Sequence, residues 1–286
     1  MTLVVAHRFG NNISLSSDSR IAYNANEYFD HGAKIFSIPV KIYNPVDRSV
    51  FDIKIGMAVI GSLTATYTVK ESVYEILQNL QYAPNRTKIS MDNISKIIFD
   101  AYKYTIGALA PILRDKVNSE LIITGFCNQA KKMRAFHISC SNFRYDYESE
   151  STRIDWKIEE VLVDNYVCFY GSGKEAAEEI HTQNRELQPL QILRIIIHSG
   201  KVKSVGGGMQ HGCFDSFYNF KVLGVVDYSY EGNGNIKYQN TFRGINWYSD
   251  EFFHGIDNHL VPALTFEDAF KQETIDKFKE WYMKSQ

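Results

Sequence analysis

The chain has 286 residues, 44% of them hydrophobic, and a formal net charge of −2. That length holds one large core, or one core with an appendage, and the near-neutral charge lacks the basic footprint of a nucleic-acid-binding surface. No apolar run approaches the roughly 20 residues of a membrane span, and the opening is not a basic-then-apolar signal, so a cytoplasmic protein is expected.

The first strand is expected over Thr2–Ala6, leading through His7-Arg8-Phe9 into a Gly10-Asn11-Asn12 turn. Ile13–Ser17 alternates as its hairpin partner. Asp18-Ser19-Arg20 closes that strand and lands beside the start of the first. Lys34 lies in a further apolar stretch, Ala33–Ile38. Val40 to Lys54 lengthens the connection to Gly61 as a hairpin, and a strand over Asp52–Ile60 ends at that glycine.

Helical spacing follows. Val69, Val73, Ile76, Leu77 and Leu80 mark a helix over Thr64–Leu80, and Pro84 breaks it. Ile94, Ile97, Ile98, Tyr102 and Ile106 mark a second over Met91–Arg114. Glu120–Phe126 and Met133–Ser139 read as paired strands, and 141–160, rich in charges and aromatics, as an exposed hairpin. Beyond Gly173 come helices over Lys174–Asn184 and Pro189–His198, the latter with proline well placed in its first turn. Phe217–Val226 returns to strand.

The tail opens with a turn-rich Glu231–Asn235 and a strand over Ile236–Phe242. It continues through Trp247, Tyr248, Phe252 and Phe253 to a helix over Phe266–Met283, with Thr265 as its N-cap. Residues 1–227 are read as the main domain. Residues 228–286 are read as an extension packed on that domain or on a neighbouring subunit. Strands, two helices, strands, two helices, strand: this order fits an α+β fold in four layers, an αββα sandwich of two stacked antiparallel sheets flanked by helix pairs. A doubly wound parallel sheet would alternate strands singly with helices.

Chemistry gathers at Thr2. Once Met1 is removed, this residue carries a hydroxyl and a free α-amine, which titrates near ~7.7–8.0 and can act as a base. A threonine after the initiator means little alone. Asp18, Arg20 and Lys34 would surround it with a carboxylate and two cations in an otherwise apolar sheet, and buried charges are costly unless paired. The four cysteines (Cys127, Cys140, Cys168, Cys213) and eight histidines show no metal-ligand spacing, so no zinc site is expected.

Thr2, Asp18-Ser19-Arg20, Lys34 and Ile60-Gly61-Ser62 resemble the proteasome β-subunit family and its bacterial relatives, N-terminal-nucleophile hydrolases that use threonine. Val167–Gly173, ending Gly171-Ser172-Gly173 before a helical Ala176-Ala177-Glu178, resembles that family's Gly-Ser-Gly turn. The likeness runs, with insertions, from Thr2 to about Asp227. It implies the N-terminal-nucleophile fold and a threonine peptidase that cleaves amide bonds through an acyl-enzyme on Thr2. In that scheme the Thr2 amine, directly or through one water, takes the hydroxyl proton. Lys34 is a fixed cation held by Asp18, the Gly61 amide stabilises the oxyanion, and Ser172 stands near the amine. The resemblance places Arg20, Ala22 and Leu63 in the substrate pocket. It requires no cofactor or metal, and it implies peptide or unfolded-protein substrates. It further implies a homo-oligomer, often a ring, working with an ATP-dependent unfoldase.

One departure stands out. The family often carries an Asp and a Ser before a Gly to support the amine, whereas Lys203-Ser204-Val205-Gly206-Gly207 has no Asp. Ser204 is a partial substitute; Asp215 lies farther downstream. Two other classes stay open: an inactive structural or binding subunit, marked by retention of Met1, and a small-molecule amidase, marked by a shallow site and a monomeric or dimeric state.

Overall fold

The computed structural model describes residues 2–22, 27–82, 89–146, 151–163, 166–230, 236–242, 245–246 and 263–265. In chain order the elements are β1 (Leu3–Phe9), β2 (Asn12–Asp18), β3 (Ile21–Ala22), β4 (Tyr28–Phe29), β5 (Ile35–Tyr43), β6 (Val50–Gly61), α1 (Leu63–Gln78) and β7 (Leu80–Gln81). Next come α2 (Met91–Leu113), β8 (Ser119–Cys127), β9 (Lys132–Asp146), β10 (Ser151–Val161), β11 (Val167–Gly171), α3 (Lys174–Gln183) and α4 (Pro189–Ser199). The last are β12 (Met209–Phe214), β13 (Phe220–Tyr230), β14 (Ile236–Phe242), β15 (Ile245–Asn246) and β16 (Ala263–Thr265). The fold is α+β and mostly strand, with four helices among the described residues.

One sheet runs β11-β1-β2-β12-β13-β14-β15, with β16 paired parallel to β13. A second runs β10-β9-β8-β6-β5-β7, and β3 with β4 forms a small separate hairpin. Period-two alternation sorts the β1 side chains. Val4 and Ala6 join Ile60, Ile122 and Ala135 of the second sheet in one core. Leu3 and Val5 point the other way, into a core with Ala177 of α3 and Ile192, Leu193 and Ile196 of α4. A third core sets Met57, Val59 and Leu121 of the second sheet against Val69 of α1 and Ile98 and Tyr102 of α2.

The helices start where sequence chemistry starts them. Ser62 and Ser90 cap α1 and α2 by accepting from Ala65 N at 3.5 Å and Asn93 N at 3.2 Å, which satisfies amides that have no intrahelical partner. A Gln188/Gln191 capping box opens α4 with Pro189 in its first turn, and Gly200 closes it in the left-handed conformation.

Three differences from the sequence reading have physical causes. The 141–160 segment is two strands, β9 and β10, whose alternate residues are not all solvated: Trp156 meets Tyr102 of α2 edge-on at a centroid distance of 5.9 Å. β12 lies in a stretch, Met209–Phe214, whose Gly212 weakens any alternation, and register with β2 and β13 forms it instead. Past Asp227 the chain continues the first sheet, as β13 pairs with β14 and β16. The tail helix expected over Phe266–Met283, and the aromatics Trp247, Tyr248, Phe252 and Phe253, lie outside the described residues. Thr265, expected as that helix's cap, is the last residue of β16.

Candidate active site

Three neighbours converge on the β1–β2 hairpin. β2 runs antiparallel to β1 with Val4 opposite Ser17, so Asp18 arrives beside Thr2 and Leu3. β11 flanks β1 on its other edge, Leu3 opposite Gly171, which delivers Ser172 to the Thr2 backbone. β12 flanks β2 with Met209 opposite Asp18, which delivers the Gly206–Gly208 turn. Lys34 sits one residue before β5. Gly171 needs to be glycine: its φ is +87° and a Cβ there would lie 2.3 Å from the Thr2 carbonyl oxygen.

Thr2, Asp18 and Lys34 are all buried. Thr2 Oγ1 donates to Asp18 Oδ1 at 2.5 Å, and Lys34 Nζ donates to Thr2 Oγ1 at 2.5 Å. The same Nζ reaches Asp18 Oδ1 at 2.8 Å and the Arg20 carbonyl at 2.5 Å. Asp18 accepts further from Leu3 N at 2.9 Å on Oδ1, and from Arg20 N and Gly206 N, both at 3.1 Å, on Oδ2. Every lone-pair direction of that buried carboxylate is therefore used, as a charge out of water requires. Burial pushes the Lys34 amine below the ordinary lysine pKa, and the Asp18 carboxylate only partly offsets it. An amine so biased can give and take the Thr2 Oγ1 proton.

The backbone nitrogen of Thr2 donates to Ser172 Oγ at 3.2 Å. Ser172 Oγ in turn shares a 2.8 Å hydrogen bond with Ser204 Oγ. Ser204 is thus linked through Ser172 to the backbone nitrogen of Thr2, in the stretch where the sequence offers no Asp. Asp215 lies in the β12–β13 turn, paired with Lys221 at 3.0 Å.

A cleft of about 1140 Å³ opens on Thr2 and Lys34, and Gly61, Ser172, Ala22 and Leu63 line it. Ile21 and Val59 are among its apolar lining residues, and Glu120, His137 and Glu159 among its polar ones. His137 is held between Glu120 at 2.7 Å and Glu159 at 3.3 Å. Gly61 has φ +91°, and a Cβ on it would stand 2.5 Å from the Asn118 carbonyl. A smaller cleft of about 780 Å³ along β11 and α3 contains none of Thr2, Asp18 or Lys34, so the larger one is the candidate site. No group of three or more His, Cys, Asp or Glu among the described residues is placed to hold a metal ion.

Of the residues singled out from sequence, Thr2, Asp18, Lys34 and Ser172 are joined by hydrogen bonds, and Gly61, Ala22 and Leu63 share their cleft. Arg20 is different. Its guanidinium turns to Asp30 in a two-pronged pair at 2.7 and 2.9 Å, and only its carbonyl faces Lys34. Ser204, offered by the sequence as a partial substitute for the missing Asp, braces Ser172. Three contributors were not legible as such, the first being Gly206, which donates to Asp18. Gln210 Oε1 accepts from the Lys34 amide at 2.9 Å, and Asp30 clamps Arg20. The triple glycine carries a signal in hindsight: Cβ atoms at Gly206 and Gly207 would collide with Arg20, and with Ser19 and Asp30.

No protein-family model matches the sequence, and comparison with curated proteins finds no match. Solved structures do share the fold. Anbu (ancestral beta-subunit) from Yersinia bercovieri is 15% identical with a TM-score of 0.52, the match covering 76% of this chain and 82% of that one. Anbu from Hyphomicrobium sp. strain MC1 is 13% identical with a TM-score of 0.52, covering 99% and 97%. The helical assembly of the Anbu complex from Pseudomonas aeruginosa supplies a chain 14% identical with a TM-score of 0.51, covering 77% and 85%.

These neighbours correct the family expected from the motifs. The backbone likeness points to Anbu rather than to the proteasome β-subunit family. The reason is one of scale. A handful of site residues fixes local chemistry, whereas the backbone comparison weighs 76% to 99% of the chain.

Proposed function

We propose that this chain is a threonine-type N-terminal-nucleophile amide hydrolase acting on peptides. The observation that carries it is a hydroxyl, an amine of lowered pKa and a carboxylate in mutual hydrogen bonding at the floor of an open cleft. The three apolar cores in series are read as the four layers of an αββα sandwich, with the site at one end of the space between the two sheets.

In this reading Met1 is removed. Lys34 Nζ, in its neutral form and 2.5 Å from Thr2 Oγ1, takes the hydroxyl proton and becomes an ammonium as the oxygen attacks the amide carbonyl. A positioned base of this kind contributes about 10²–10⁴-fold in rate. Asp18 compensates the ammonium so formed, and the Gly61 amide donates to the oxyanion, a contact worth about 10²–10³-fold. Collapse expels the amine, which receives a proton from Lys34 or from the Thr2 amine held by Ser172. Water then releases the acid from the Thr2 ester. The geometry favours Lys34 over the Thr2 amine for the first transfer, because Nζ is in hydrogen-bond contact with Oγ1.

A cleft of about 1140 Å³ accommodates several residues of an extended peptide, which favours peptides over a small amide. Self-association belongs to the same reading, since a neighbour of this fold is described as a helical assembly. The test is hydrolysis of a panel of fluorogenic peptides by the purified chain beside Thr2→Ala, with intact mass recorded for both. Turnover by a chain lacking Met1, lost in Thr2→Ala, supports the reading. Turnover that survives Thr2→Ala, or no turnover once Met1 is gone, refutes it; retained Met1 with a tight cluster points to a structural subunit.

A further inference from the structure

The site described so far leaves Asp30 unexplained. Its two carboxylate oxygens take Arg20 Nε at 2.7 Å and Nη2 at 2.9 Å, the bidentate geometry that fixes a guanidinium in plane and direction. Tyr28 lies across that guanidinium at 3.8 Å from its ring centroid, and Arg20 Nη1 donates to the Lys203 carbonyl at 3.1 Å. The segment from Asp30 to Lys34 is tied down on the same side. The Asp30 carbonyl accepts Ser19 Oγ at 2.5 Å, and Gly32 N donates to the Ser19 carbonyl at 2.9 Å. The Arg20 and Asp30 side chains remain 16% and 30% exposed, so as an ion pair they add little stability. Their effect lies in geometry. The residue whose side chain is locked is the one whose carbonyl accepts Lys34 Nζ at 2.5 Å and whose amide donates to Asp18 at 3.1 Å.

We propose that Asp30 is a positioning residue for Lys34: by clamping Arg20 it holds the Arg20 carbonyl on Nζ and thereby governs proton exchange between Lys34 and Thr2. This rests on the hydrolase reading for its consequence in rate, not for its consequence at Lys34. The charged groups acting on Nζ are Asp18, in direct contact, Asp30, which favours the protonated amine, and Arg20, which opposes it. Removing the Asp30 charge leaves Arg20 uncompensated and frees its carbonyl to drift. Both changes weaken the hold of Nζ on its proton.

The test uses the full chain labelled with ¹³C at lysine Cε. The Lys34 resonance, identified by its loss in Lys34→Arg, is titrated in wild type, Asp30→Asn and Asp30→Glu. We expect the midpoint to fall by about half a pH unit or more in Asp30→Asn, with Asp30→Glu recovering most of the shift. In parallel, acylation of Thr2 by an electrophilic peptide is followed by intact mass against pH. The acidic limb is expected to move in the same direction in Asp30→Asn, with unchanged far-UV circular dichroism. A Lys34 midpoint within about 0.2 pH units of wild type in a folded Asp30→Asn chain overturns the proposal and leaves the pair a loop fastening. Should Asp30→Asn not fold, Arg20→Lys, which keeps the charge and loses the fork, is titrated in its place. There a wild-type midpoint is the overturning result. Absence of Thr2 acylation in wild type sinks the hydrolase reading alone, since the titration decides the role of Asp30 independently.

Discussion

Replacing Asp18 with asparagine is the sharpest structural perturbation of the site. The carboxylate accepts from Thr2 Oγ1, Leu3 N and Lys34 Nζ on one oxygen and from Arg20 N and Gly206 N on the other. An asparagine retains one acceptor oxygen. Whichever way its amide is turned, an NH₂ group faces buried N–H donors: Arg20 and Gly206 on one side, Leu3 and Lys34 on the other. Each donor left unpaired costs about 1–3 kcal/mol, and removing one partner of a buried ion pair costs about 3–5 kcal/mol. These overlap, so Asp18→Asn should lose about 3–5 kcal/mol of unfolding free energy, a large part of the roughly 5–15 kcal/mol typical of a domain. The assay is urea unfolding at fixed protein concentration, followed by tryptophan fluorescence and circular dichroism. Because much of the loss is an uncompensated Lys34, the double variant Asp18→Asn/Lys34→Met should be more stable than the sum of the two single losses implies. A single-variant loss under about 1 kcal/mol, or strict additivity of the two, would mean that the buried cluster is not formed.

Gly171→Ala places a methyl group 2.3 Å from the Thr2 carbonyl at a φ of +87°, so the strand must shift and carry Thr2 with it. Turnover should fall by about 100-fold, as misplacement near 1 Å does, while the thermal transition is retained; unchanged turnover contradicts the placement of Thr2. For Asp227, burial alone would raise the carboxyl, but His198 at 3.0 Å and Arg194 at 2.6 Å outweigh it and hold the pKa below its usual range. Its folded pKa is depressed, so its stabilisation is present above about pH 3.9 and is lost as pH falls through the folded value. The stability gap between wild type and Asp227→Asn, measured by urea unfolding from pH 7 to pH 3, should therefore narrow only below about pH 4. A gap that is constant across that range refutes it.

The sequence made the local parts of this protein visible. Thr2 and Asp18 belong to one tight hairpin, and α1 and α2 carry their buried apolar residues at helical spacing. Gly61 ends a strand just before a helix, and Ser172 sits in a turn just before another, so both could be placed without knowing the sheet order. Gly206 and Gln210 could not. They meet Asp18 and Lys34 only because β12 lies beside β2, a register set by contacts nearly 200 residues apart in the chain. Arg20 shows the limit of spacing. The spacing suggested its cation beside Thr2, whereas its backbone meets the cluster and its side chain is directed to Asp30, a partner no periodicity marks. In the tail the sequence shows one strand where the sheet gains three, because β15 and β16 are too short to carry an alternating pattern.

The central claim is that Thr2 Oγ1 is the nucleophile, and one measurement reaches it directly. The chain is incubated with an electrophilic peptide that forms a stable ester or ether, then digested and sequenced by mass spectrometry. The account predicts one adduct, on a chain that begins at Thr2, located on that residue and absent from Thr2→Ala and Lys34→Met. An adduct on another residue, or one of equal yield in Thr2→Ala, would contradict it.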